Sequence, residues 1–196
     1  MMPRTLRLSL VLIAVLAGCA SAPPLRHYTL VPPDAARAPA TAAPLGGLIE
    51  IASVTVPVAV DRQEIVLRDG RQGLLLLESE RWSARLGDEV QAALAASLTH
   101  RLGMRNAADL PHAPDQNVLR VRVALRSLEA TAGGSATLAA DWSLATRGAG
   151  PVCSSRFTAP AGAGTAALVT AYQDLVERLA AALETAARAG GACPAN

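Results

Sequence analysis

Cys19 is the residue whose surroundings most clearly prescribe a chemistry. It ends the segment Leu16-Ala17-Gly18-Cys19, which has the pattern of a lipobox. The two small residues allow an extended chain to pass through a signal peptidase, and the thiol then takes up a diacylglycerol. We therefore predict cleavage before Cys19, followed by covalent attachment of diacylglycerol and an N-acyl chain. No other cofactor is expected.

The eighteen residues before Cys19 have the features of a secretory signal. Arg4 and Arg7 make the start positive, and the apolar stretch from Leu8 to Leu16 is too short to span a bilayer as a stable helix. Residues 1–18 are thus predicted to be a signal peptide, and residues 19–25 an acylated cysteine with its tether. Because Ala20 rather than aspartate follows the cysteine, we expect sorting to the outer membrane, with the protein on its periplasmic face.

Two further cysteines, Cys153 and Cys193, remain after Cys19 is assigned to lipid. An oxidising compartment permits a disulfide between them, which would tie the C-terminal tail, residues 190–196, to a predicted strand. The alternative is a buried free Cys153 and an unpaired Cys193. The sequence alone leaves both open, since it does not supply the geometry that a bridge requires.

The other reactive side chains form no familiar catalytic pattern. His27, His100 and His112 are scattered, and the chain contains no zinc-type His/Cys spacing and no nucleophile elbow. We predict no catalytic residue and no metal site. After removal of residues 1–18, 16 arginines balance 16 acidic residues, so the charge favours no nucleic-acid partner.

The hydrophobic pattern predicts two helices and several strands. A leucine-rich stripe with a four-residue spacing indicates a helix over about 84–102, with Ser83 as N-cap and Gly103 just past its end. A second helix is predicted over about 165–188. The run Leu74 to Leu77 suits a strand buried on both faces. Other strands are predicted at 27–30, 48–58, 65–68, 119–125, 138–144 and 152–158.

This order of strands, helix, strands and helix predicts an α/β fold. We expect a two-layer or three-layer sandwich around a mixed β-sheet with two main helices. A single domain is predicted over 26–189, with a Pro/Ala-rich loop at 31–47. Trp82 and Trp142 are interpreted as core residues rather than ligand platforms.

Several motifs in this layout resemble one family. After the lipobox come a short strand at 28–30, an apolar strand ending at 56–58, the segment 61–68 and a tryptophan at the entry of a helix, Trp82. This order resembles the PqiC/YmbA-type family, the auxiliary lipoproteins of ABC-type lipid transporters that work with MCE-domain proteins. The resemblance covers nearly the whole mature chain. It departs from the family at Ala59 and Val60, where an aromatic residue and a leucine are common.

The resemblance implies a non-catalytic outer-membrane lipoprotein with an MCE-domain partner, and self-association as a homo-oligomer is a further expectation. Asp61, Arg62 and Arg68 are then candidates for contacts with other subunits, because their charges suit hydrogen bonds across an interface. A local ion pair between Asp61 and Arg62 in a turn is the alternative for those two residues. A lipid-anchored envelope hydrolase and a structural assembly lipoprotein remain as alternative functions.

Overall fold

The computed structural model describes residues 23–33, 43–108, 110–111, 113 and 116–194. The lipobox with Cys19, most of the predicted loop at 31–47, and His112 lie outside these residues. The described elements are β1 (Arg26–Tyr28), β2 (Leu48–Thr55), β3 (Glu64–Asp69), β4 (Gly73–Trp82), α1 (Leu86–Leu102), β5 (Arg105–Asn106), β6 (Val118–Ala130), β7 (Ser135–Ala145), β8 (Val152–Pro160) and α2 (Thr165–Arg188).

The strands form two sheets. The larger has the order β5-β2-β6-β7-β8, in which β2 is parallel to β5 and β6 while the remaining pairs are antiparallel. The smaller has the order β1-β4-β3, with β1 parallel and β3 antiparallel to β4. Both sheets are mixed, so the α/β prediction with two main helices is confirmed, although the strands divide between two sheets. No helix within the described ranges is long and apolar enough to span a membrane.

The two helices pack on each other and on one face of the larger sheet. The predicted leucine stripe of α1 points into this layer, where every member is at most 3% exposed: Leu86, Val90, Leu94, Leu98 and Leu102. Burying such a side chain stabilises the fold by about 1.5–3 kcal/mol. Trp82 and Trp142 are 1% and 2% exposed, which confirms both as core residues. The opposite face of the larger sheet carries polar, exposed or partly exposed side chains, Arg122, Arg126 and Asp141 among them.

The predicted start of α1 is wrong, whereas its predicted end is confirmed. The helix begins at Leu86, and the N-cap position is Arg85, which makes no side-chain capping hydrogen bond. Ser83 instead donates to Glu89 within the first turn. At the other end Gly103 has a φ of 60° and caps the helix, a conformation that glycine adopts without steric cost.

The prediction that Leu74 to Leu77 is buried on both faces is also wrong. Leu74, Leu75 and Leu76 are 41%, 50% and 39% exposed. The cause is that neither helix packs over this part of the smaller sheet, because among the described elements β4 mainly contacts β3 and β1, its neighbours within the sheet. β3 directs its own apolar residues, Ile65 among them, into the core. Among the described residues, the faces of the first half of β4 are therefore left exposed. We call residues 69–76 the hairpin tip.

Cys153 and Cys193 form a disulfide, with their Cα atoms 5.4 Å apart. The bond ties β8, an edge strand, to the segment that follows α2. We expect non-reducing peptide mapping of periplasmic material to yield one linked peptide pair that separates on reduction. Two thiols that alkylate fully without reductant would contradict this bond.

Candidate partner-contact surface

The segment from Val56 to Arg68 connects β2 to β3 and contains the three residues predicted to contact a partner. It begins with a tight turn, in which the backbone N–H groups of Val60 and Asp61 both donate to the carbonyl of Pro57, at 2.9 and 3.1 Å. Directly after this turn the side chains of Asp61 and Arg62 meet different neighbours. The described residues show no ion pair between these two.

Asp61 is bonded within its own chain. Its Oδ1 accepts a hydrogen bond of 3.1 Å from the backbone N–H of Gly87, in the first turn of α1. The first N–H groups of a helix have no partner within the helix, and the helix dipole favours a negative charge there. A Cβ at position 87 would lie 3.3 Å from this oxygen, so glycine permits the close approach. Asp61 therefore caps α1 from a distant loop.

Arg68 also makes an internal contact. Its Nε and one terminal nitrogen donate to the two carboxylate oxygens of Glu129 on β6, at 2.9 and 2.7 Å. This bidentate ion pair joins the smaller sheet to the larger one. Its positive charge and hydrogen bonds lower the pKa of Glu129 below its ordinary value. Both side chains are 35% exposed, so the pair lies at the surface.

Arg62 is the predicted contact residue that the fold leaves incompletely satisfied. Its Nε is buried and has no hydrogen-bond partner among the described residues. Leaving a buried donor unpaired costs about 1–3 kcal/mol, and native proteins contain few such groups. Because this nitrogen is buried, an acceptor from another molecule would reach it, and remove this cost, once the Arg62 side chain moves.

Arg62 lines a shallow groove of about 750 Å³ beside β4. β1 pairs only with residues 80–82, and the residues before it, Pro23 and Leu25 among them, line the groove without forming a strand. Within the described residues, no strand therefore pairs with residues 74–79 on the β1 side. We call this surface the open-edge groove. Its wall includes Arg81 and Glu64, whose charged atoms lie 3.7 Å apart. The lining side chains include Leu25, Arg62, Glu64, Leu76, Glu78 and Arg81.

Glu89 is an important residue that the sequence analysis missed. Although charged, it is 4% exposed. Its carboxylate accepts from the hydroxyl of Thr29 at 2.8 Å, the N–H of Leu30 at 2.8 Å and the N–H of Ala84 at 3.1 Å, and also from the hydroxyl of Ser83. One side chain thus holds the end of β1 and the connection from β4 against α1. The sequence could have indicated its burial, because Glu89 lies three residues after Leu86 and therefore on the buried face of the helix.

The described histidines do not gather into a site. His27 lies on β1 and His100 in the last turn of α1. In the part of the chain that the structure describes, no group of three or more His, Cys, Asp or Glu residues is placed to hold a metal ion.

Comparison with known proteins gives a family match and structural neighbours. A family model described as an ABC-type transport auxiliary lipoprotein component matches residues 28–184. The crystal structure of an uncharacterized protein is 17% identical and aligns with a TM-score of 0.63, covering 83% of this chain and 98% of that one. A Xanthomonas campestris protein of the DUF330 family is 13% identical, with a TM-score of 0.60, covering 87% of this chain and 97% of its own. No curated protein sequence matches at a significant level.

Proposed function

Because the chain belongs to the family of ABC-type transport auxiliary lipoprotein components, we propose that it is a non-catalytic, lipid-anchored subunit of an ABC-type lipid transport system. In this proposal Cys19 carries the acyl chains, the outer membrane holds them, and the folded domain faces the periplasm. An MCE-domain protein of the same system is the partner. The observation that carries the proposal is the family match over 28–184, which spans nearly the whole folded domain.

The open-edge groove supports a protein contact of this kind. The free edge of a strand can pair with an extended segment of another chain through backbone hydrogen bonds. The buried Nε of Arg62 has no partner among the described residues and requires an acceptor, such as a carbonyl or carboxylate oxygen. Leu25 and Leu76 add apolar surface to the same groove. A partner segment with an apolar side chain and an acceptor group would satisfy all three features.

Reversing the charge at Arg62 tests this contact. We expect Arg62→Glu to remain folded, because Arg62 makes no ion pair with Asp61 that the fold would lose. We expect it to capture the MCE-domain partner more weakly by about 2–5 kcal/mol, because an unpaired charge in a desolvated contact is costly. Circular dichroism reports the fold, a quantitative pull-down reports capture, and size-exclusion chromatography reports self-association.

Arg122→Glu is the matched control, because it makes the same charge change elsewhere. Arg122 is exposed on β6, and the described residues give it no ion pair. This variant should capture the partner as well as the unmodified protein does. Equal capture by both variants would remove Arg62 from the contact. An unfolded Arg62→Glu would show that Arg62 has a structural role.

A further inference from the structure

The hairpin tip is an apolar element that the described residues leave uncovered. Leu74 and Leu75 are 41% and 50% exposed and point to opposite faces of the strand, since side chains alternate along it. Each face of the strand therefore carries an exposed leucine at this end, beside the polar turn residues Asp69, Arg71 and Gln72. Arg71, in the turn between β3 and β4, is exposed and has no ion pair among the described residues. Contiguous exposed apolar side chains are a feature of interaction surfaces, whereas isolated ones are common anywhere on a protein surface.

The direction of β1 places the first described residues, from Pro23 onwards, on the side of the domain that carries this tip. Arg26 pairs with Glu80 and Tyr28 with Trp82 in a parallel register. Followed backwards from Arg26, the chain therefore heads towards the start of β4, which is the tip. Pro23 lines the same groove as Leu76, which agrees with this direction.

Chain length then limits the distance between the tip and the proposed lipid. Three residues lie between Cys19 and Pro23, so four Cα–Cα steps join them, and at no more than about 3.6 Å per step an extended chain spans roughly 14 Å here. The acyl chains on Cys19 must enter the bilayer within this reach of Pro23. The membrane surface is consequently close to the end of the domain that carries the hairpin tip.

We propose that the hairpin tip inserts its leucines into the membrane leaflet that holds the acyl chains of Cys19. The proposal rests on the lipid anchoring proposed above. Apolar side chains of interfacial elements penetrate about 5–10 Å, to the boundary between headgroups and acyl chains. The guanidinium of Arg71 is suited to lipid phosphates at that level. The β3–β4 ladder pairs the backbone groups between the two strands, but the other edge of residues 74–76 is open among the described residues. The backbone would therefore stay at the hydrated headgroup level, and only the leucine side chains would enter the apolar layer.

Two points of attachment would fix the orientation of the domain. An acylated tether alone allows the domain to rotate about its linker, whereas a second, inserted contact removes that freedom. Because Leu76 belongs both to the tip and to the open-edge groove, the groove would be held next to the membrane surface. A partner protein would then meet it at a defined height above the lipid.

Tryptophan scanning of the acylated, mature chain in vesicles tests the insertion. Trp82 and Trp142 are buried, so an added tryptophan reports its own surroundings. Leu75→Trp, with Leu74→Trp as a second variant, would be reconstituted in phosphatidylethanolamine and phosphatidylglycerol vesicles whose acyl chains carry bromine. Val152→Trp is the matched control, because Val152 is 74% exposed at the start of β8 in the other sheet.

We expect bromine to quench the added tryptophan of both tip variants about threefold more than that of the control. Aqueous acrylamide should show the opposite order. If all variants float with vesicles but acrylamide reaches the tip as easily as the control, the insertion is refuted and the anchoring stands. A tip protected from both quenchers would mean that a protein surface covers it, which also refutes the proposal. Failure of the unmodified protein to float would refute the anchoring, and the insertion with it.

Discussion

Replacing Cys19 with alanine is expected to leave an unprocessed precursor that carries no acyl chains. The predicted lipobox, Leu16 to Cys19, supplies the one thiol placed for acylation after the predicted signal sequence, and the peptidase that acts on such precursors cuts beside the modified cysteine. Each buried methylene contributes roughly 0.8 kcal/mol to membrane attachment, so that one chain binds reversibly and two bind stably. The loss of attachment through lipid should therefore be essentially complete.

Intact-mass spectrometry checks this directly, since it measures both the retained signal peptide and the missing acyl mass. Ser21→Ala is the matched control, a small change two residues further on that should leave processing and acylation intact. A Cys19→Ala protein that is still cut, and still resists extraction from membranes by high salt, would contradict lipid anchoring at this residue.

The helices and strands could be predicted from the sequence where the spacing of apolar residues kept one period along the whole element. The predicted helix over 165–188 agrees with α2, Thr165–Arg188, because its apolar spacing continues for the whole length. β6 shows the converse. Its prediction ended at Leu125, whereas the strand continues to Ala130. A register shift between Leu125 and Ser127 moves the buried positions by one residue, so simple alternation no longer marks Leu128 as core.

The leucine run of β4 shows a different limit. Local hydrophobicity predicts that a strand prefers to be buried, but burial depends on what packs against it. Here β4 mainly contacts β3 and β1, its neighbours within the sheet, and neither helix packs over its first half. Which layer covers the faces of a strand is a tertiary property, and no pattern within 74–77 contains it.

The three candidate contact residues were predicted to act together, but in the structure they have different neighbours. Asp61, Arg62 and Arg68 were chosen together because their charges suit an interface. Two of them have partners far along the chain: Gly87, 26 residues from Asp61, and Glu129, 61 residues from Arg68. The charge of a side chain shows what kind of group it can bind, but the fold determines which group it contacts. Arg62 is the one of the three whose buried nitrogen the described residues leave without a partner.

Glu89→Ala is expected to have the largest effect on folding. The carboxylate is largely excluded from solvent and accepts hydrogen bonds from the backbone N–H groups of Leu30 and Ala84 and from the hydroxyls of Thr29 and Ser83. Alanine would leave these donors without an acceptor, and each buried unsatisfied group costs about 1–3 kcal/mol. Since solvent can reach some of them, we expect the free energy of unfolding to fall by about 3–5 kcal/mol, a large part of the 5–15 kcal/mol typical of a domain.

Chemical denaturation followed by circular dichroism measures this loss, with Asp88→Ala as the matched control. Asp88 is the neighbouring acid in the same first turn of α1, but it is exposed, so its removal should cost less than about 1 kcal/mol. Glu89→Gln should fall between the two variants, because an amide keeps one acceptor oxygen but loses the charge. Equal midpoints for Glu89→Ala and Asp88→Ala would mean that the ends of β1 and β4 are held by apolar packing alone, through Leu30 and Trp82, and that the buried carboxylate contributes nothing to their attachment.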